Sequence, residues 1–179
     1  MDKKHFIELH LHLDGSLRPE TVWTLAREQG ISLPAKTKEE TDFLMRVPDD
    51  CRTLEEYLQR FDMPLLVLQE ESALERAAFE LVEDLAKEGV DYAEIRFAPQ
   101  LSLSHGLTQD QVTEAAIRGV KKGMAQYPGI RAGLILCCMR GDKNEDLNLQ
   151  TVETARKYLG DVVLSLIHIS EPTRPEPIS

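Results

Sequence analysis

The residues best suited to chemistry stand near the start of the chain, where His10, His12 and Asp14 recur at every second position of the run ELHLHLDG. In a strand, side chains at i, i+2 and i+4 share a face, so these three are expected to project together while Ile7, Leu9, Leu11 and Leu13 turn toward a core. Two imidazoles at that spacing can chelate one metal ion. Zinc suits them, because it accepts nitrogen and carboxylate ligands without a strong geometric demand and, in catalytic sites, keeps one position open for water. Water bound there loses a proton near neutral pH. The bland alternative is the solvated face of an edge strand with no metal, since His-x-His is a short and common pattern.

Context favours the metal. The Asp14-Gly15 break puts the polar side chains at the C-terminal end of a first strand, which is where parallel α/β barrels keep their active sites. Pro19 then marks a helix start. Three further helices are announced by a Ser or Thr followed three residues later by Glu or Gln: Thr53 with Glu56, Ser72 with Glu75, and Thr108 with Gln111. After Ser72 the stripe Leu74, Ala77, Ala78, Leu81, Val82 and Leu85 marks the buried face, and Gly89 ends it.

Residues 92–97 follow as a strand, and Val112, Ala115, Ala116 and Val120 mark the face of the Thr108 helix. The nearly all-apolar stretch 132–139 is what a parallel strand covered on both faces requires. Val152, Ala155 and Leu159 predict one more helix before Val162 and Val163. Strands alternating with helices imply βαβ units and a parallel α/β fold.

Composition limits the rest. The 179 residues, 42% hydrophobic and 29% charged, are enough for one buried core. A net charge of −10 argues against nucleic acid as a partner, and no basic cluster interleaved with aromatics offsets it. The start MDKKHFIELH has no continuous apolar run or cleavage site, and no stretch is long and apolar enough for a membrane span. Cys51, Cys137 and Cys138 make neither a disulfide framework nor a C-x-x-C pair, which fits the cytoplasm. The adjacent pair reads as small buried hydrophobes with no catalytic role. P-loop, H-E-x-x-H, G-x-S-x-G and cytidine-type deaminase signatures are all absent.

ELHLHLDGSLRPE resembles the opening of the adenosine deaminases, and so, in order, do EIRFAP at 94–99 and LILCCMR at 134–140. The resemblance covers residues 6–163 and implies the first four strands, with extra helices, of a truncated (β/α)8 TIM-type barrel. It implies one zinc per complete active site, hydrolysis of adenosine or deoxyadenosine to inosine and ammonia, and a place in purine salvage. By the same resemblance His10 and His12 are the first two zinc ligands, His12 also lies near the nucleoside, and Asp14 holds a sugar hydroxyl. Leu54, Tyr57, Leu58 and Phe61, in TLEEYLQRF, are offered for the apolar side of the purine pocket, or as the packed face of an ordinary amphipathic helix.

Departures follow the fourth strand. Where the family's substrate-contacting glycine is expected, the chain reads LSLIHIS, and the third zinc histidine, catalytic glutamate, further histidine and zinc aspartate have no counterpart. No general acid is therefore assigned, and neither His105, in a polar loop, nor His168 is expected to replace the third ligand. Residues 164–179 are read as an unrelated tail resembling translated adapter sequence, with three prolines in its last eight residues, or as a natural proline-rich tail. Residues 1–163 are read as the half barrel. Two rival functions stand beside the main one. An adenine deaminase shares the His-x-His opening but resembles a sequence with Glu in place of Asp14, and a non-catalytic metal-binding or interaction fragment is the other.

Overall fold

The computed structural model describes residues 5–167. Four strands, β1 (Phe6–His12), β2 (Val90–Phe97), β3 (Arg131–Cys138) and β4 (Val162–Ile167), form one parallel sheet in the order β1-β2-β3-β4. Helices α1 (Pro19–Glu28), α2 (Lys38–Met45), α3 (Leu54–Leu58), α4 (Asp62–Val67) and α5 (Glu71–Glu88) lie between β1 and β2. Helix α6 (Gln109–Gln126) then leads to β3, and α7 (Glu145–Lys157) to β4. β4 includes residues 164–167 of the segment read as a tail, and the remainder, with His168, lies outside the described residues.

The helical side of the sheet buries the main core: Ala93, Ile95 and Phe97 of β2 and Leu134 and Leu136 of β3 pack in one cluster with Leu74, Leu81, Val112 and Val120. The opposite side holds a smaller cluster of Ala98, Ile135 and Cys137. β3 is buried from Gly133 to its end, as a strand covered on both faces should be. Helices α5 and α6 approach closely because Gly119 has no side chain: a β-carbon there would come within 2.2 Å of the Glu75 carbonyl oxygen.

Local signals mark several boundaries correctly. Pro19 begins α1, Gly89 caps α5 in the left-handed region at φ 87°, and Thr108 and Gln111 form a reciprocal capping box. Thr53 Oγ1 accepts from the Glu56 amide, but Glu56 takes its return bond from the amide of Arg52. Ser72 caps nothing, because α5 starts at Glu71 with the extended Glu70 before it.

Two burial expectations fail. Ile7 and Leu9 are exposed, on a strand that has one strand neighbour among the described residues. On α7 the buried residues are Thr151, Thr154 and Ala155, whereas Val152 is exposed and Leu159 lies past the helix end, exposed as well. The helix is turned so that threonines, hydrogen-bonded to Gln109 and Asp110 of α6, face inward. α2, which no apolar period announces, is capped by the Thr37 side chain accepting from the Glu40 amide.

Candidate functional site

His12 is the last residue of β1, and the chain turns immediately beyond it. The Leu13 amide donates to the Arg96 carbonyl at 2.9 Å and the Ser16 amide to the Leu13 carbonyl at 3.2 Å, while the Leu13 side chain is fully buried. This anchored turn carries Asp14 back toward the strand end. Asp14 is 8% exposed, and its Oδ1 stands 3.6 Å from His12 Nδ1 yet takes part in no hydrogen bond. A buried carboxylate oxygen without a donor is costly to leave so, and a hydroxyl-bearing ligand is the kind of group that satisfies it.

The rings of His10 and His12 lie 5.7 Å apart between centroids, tilted by 32°. His10 is exposed, on a strand with one neighbour among the described residues. Slight burial, the nearby Arg96 guanidinium and His12 together lower the pKa of His10 against the opposing pull of Glu8, which favours the neutral imidazole that binds metals. Phe61 packs edge-on against His12 at 5.7 Å, and Tyr57 against Phe61 at 5.6 Å. Gly15 permits this, because a β-carbon there would lie 2.8 Å from the Phe61 ring.

Of the four residues offered for an apolar pocket wall, Tyr57 and Phe61 line a small cleft with Gly15, Met45, Val47 and Arg60. Leu54 and Leu58 do not line it and are about half exposed. Neither His12 nor Asp14 lines the cleft, which adjoins them only through Gly15, next in sequence to Asp14, and Phe61, whose ring packs against His12.

The donor set fits zinc as far as it goes: two imidazoles close together, one next to a buried carboxylate. Among the described residues no three or more of His, Cys, Asp and Glu gather where they could hold a metal ion. His105 lies exposed in a turn after β2. All three cysteines are free, and burial pushes Cys137 up to about 11, with Arg96 drawing it down and Asp14 raising it.

Two residues near the histidines were not singled out from sequence. Arg96 donates from Nη2 to the Leu9 carbonyl at 3.0 Å, and Glu8 Oε1 accepts from the His10 amide at 2.9 Å. Arg96 lies within EIRFAP, but its role depends on the pairing of β1 with β2, which no local pattern specifies. Past β3, Asn148 accepts from the Met139 amide at 2.8 Å and donates to its carbonyl at 2.7 Å, tying α7 to the sheet's C-terminal edge.

A family model described as adenosine deaminase matches residues 6–179. The chain is 46% identical over 153 residues to an adenosine deaminase from Haemophilus ducreyi, covering 86% of this chain and 44% of that protein. Among solved structures it resembles the adenine deaminase of Arthrobacter aurescens, with a TM-score of 0.70 at 29% identity over 89% of this chain and 47% of that one. It also resembles Arabidopsis ADAL complexed with GMP, with a TM-score of 0.71 at 29% identity over 89% and 48%. The chain thus spans about half the length of the curated relatives it matches.

Proposed function

The chain belongs to the adenosine deaminase family, and from that premise we propose that it supplies the N-terminal half of a zinc-dependent site that hydrolyses adenosine, or deoxyadenosine, to inosine and ammonia. The observation that carries this reading is the orphaned Asp14 Oδ1, buried beside His12 at the C-terminal end of the first strand. Asp14 accepts a hydrogen bond from a sugar hydroxyl. His10 and His12 each give an imidazole nitrogen to one zinc ion, and Tyr57 and Phe61 cover the purine.

The chemistry that zinc supplies there is a bound water acidified to near-neutral pKa. Proton transfer to the purine ring requires a general acid, and no residue of 6–163 is assigned that task. The 179-residue chain alone is accordingly read as inactive. The three free cysteines and the absence, among the described residues, of a helix long and apolar enough to cross a membrane are compatible with a cytoplasmic enzyme of purine salvage. Adenine is the less favoured substrate, because Asp14 stands where the adenine deaminases are expected to have Glu.

The experiment is a chimera in which residues 6–163 replace their counterpart in the Haemophilus ducreyi relative. Inosine and ammonia released from adenosine, abolished by chelator and by His10→Ala, are expected. A folded chimera that binds zinc but leaves adenosine intact would sink the reading in favour of a non-catalytic metal-binding fragment, and one that prefers adenine would move the substrate.

A further inference from the structure

Strands β1 and β2 do not run in simple register. Glu8 pairs with Ala93 and Leu11 with Ile95, so three steps along β1 match two along β2. The extra residue is a β-bulge, and in it Leu9 and His10 have no partner in the β1–β2 register. Side chains take the place of the ladder. The His10 amide donates to Glu8 Oε1 at 2.9 Å, and the Leu9 carbonyl accepts from Arg96 Nη2 at 3.0 Å.

We propose that Glu8 and Arg96 are positioning residues for the metal centre, clamping the bulge that turns the His10 ring toward His12. The proposal rests on the reading that His10 and His12 bind zinc. In a regular strand, residues two apart are separated by about 6.6 Å and project in parallel. Two nitrogens on one tetrahedral zinc, each bonded at about 2.0–2.1 Å, must approach to roughly 3.3 Å, so their rings have to converge. Here the ring centroids stand 5.7 Å apart and tilted by 32°, which is the convergence a locally bent and twisted strand provides.

With Leu9 and His10 outside the β1–β2 register, the bulge has no ladder to define it, and its backbone groups could be satisfied equally well in several conformations. The clamp selects one. Arg96 sits across the sheet from His12 in register, so its reach back to the Leu9 carbonyl ties the residue just before His10 to β2. It keeps that position although its own Nε is buried without a hydrogen bond, which a cation serving only solubility has no reason to tolerate.

The test uses the 179-residue chain with zinc as the probe, measured by competition against a chromophoric chelator, and hydrogen exchange of the metal-free protein read on peptides spanning β1. Variants are Glu8→Ala, Glu8→Gln, Arg96→Met and Arg96→Lys, with His10→Ala as reference. Glu8→Ala and Arg96→Met are expected to weaken zinc binding about tenfold or more and to speed exchange around His10, as loss of an outer partner does at metal sites. Glu8→Gln, which retains an oxygen acceptor, and Arg96→Lys, which retains a cationic donor, are expected to rescue most of both readouts.

If His10→Ala lowers zinc affinity while Glu8→Ala and Arg96→Met leave affinity and exchange unchanged, the clamp is overturned and the metal reading stands. Tighter zinc binding in Arg96→Met overturns it too, assigning Arg96 a purely repulsive charge. Zinc binding indifferent to His10→Ala overturns the metal reading and the clamp with it.

Discussion

Asp14 Oδ1 lies 3.6 Å from His12 Nδ1, buried, with no hydrogen bond of its own. On the proposed reading Asp14 accepts from a sugar hydroxyl, and such a carboxylate would contribute to nucleoside turnover and little to that of a free base. In the chimera, Asp14→Ala should lower kcat/KM for adenosine by about tenfold to a hundredfold, the worth of one hydrogen bond to a charged group. Adenine binding should change far less. Equal losses for both ligands would assign Asp14 to ordering the metal site instead.

β1 and β4 each have a single strand neighbour among the described residues, and Ile7 (68% exposed), Leu9 (52%) and Val163 (45%) lie on those two strands. Open strand edges beside exposed apolar side chains recruit further chains. The 179-residue protein should therefore self-associate as its concentration rises, as light scattering will report, whether or not residues 168–179 are removed. The chimera should stay monodisperse. A monomer at every concentration with one sharp cooperative melt would point to a self-sufficient smaller domain.

Arg18 pins the start of α1 to α5, donating to Asp84 Oδ2 at 2.8 Å and Glu83 Oε2 at 2.6 Å. Glu83 also accepts from the Tyr127 hydroxyl at 2.5 Å, and Tyr127, Arg18 and Lys87 together hold its carboxyl down at about 2. A lowered folded-state value means that this stabilisation is complete above the ordinary carboxylate range near 4.5 and is lost as pH falls from there toward 2. Arg18→Met should cost about 1–3 kcal/mol at neutral pH, and the deficit should shrink on acidification. Thermal melts of both proteins across that range check it, and a deficit that does not change with pH would remove Glu83 from the account.

Burial pushes the Cys137 thiol up to about 11, and Cys138 is raised by burial too, whereas Cys51 is only partly buried. Thiolate is the reacting species, so a soluble alkylating reagent at pH 8 should modify Cys51 first and leave the pair largely unlabelled until the protein unfolds. Mass spectrometry of peptides after short exposure reads this directly. Rapid native labelling of Cys137 would contradict its assignment as a core residue.

Local sequence determined the order of the four strands and of the helices other than α2 and α4, because period-2 and helical periodicities, Pro19, Gly89 and the Thr108 capping box act within a few residues of themselves. It also placed His10, His12 and Asp14 at one strand end. Tertiary structure decided what lies beside each element. Ser72 matches a capping box as well as Thr108 does, yet α5 begins one residue before it. Ile7 and Leu9 alternate as core residues do, yet whether that face is covered depends on neighbours far along the chain. The bulge at Leu9 and His10, and the reach of Arg96 to it, exist only once β1 pairs with a strand more than eighty residues away. Register is a relation between two segments, so neither segment encodes it alone.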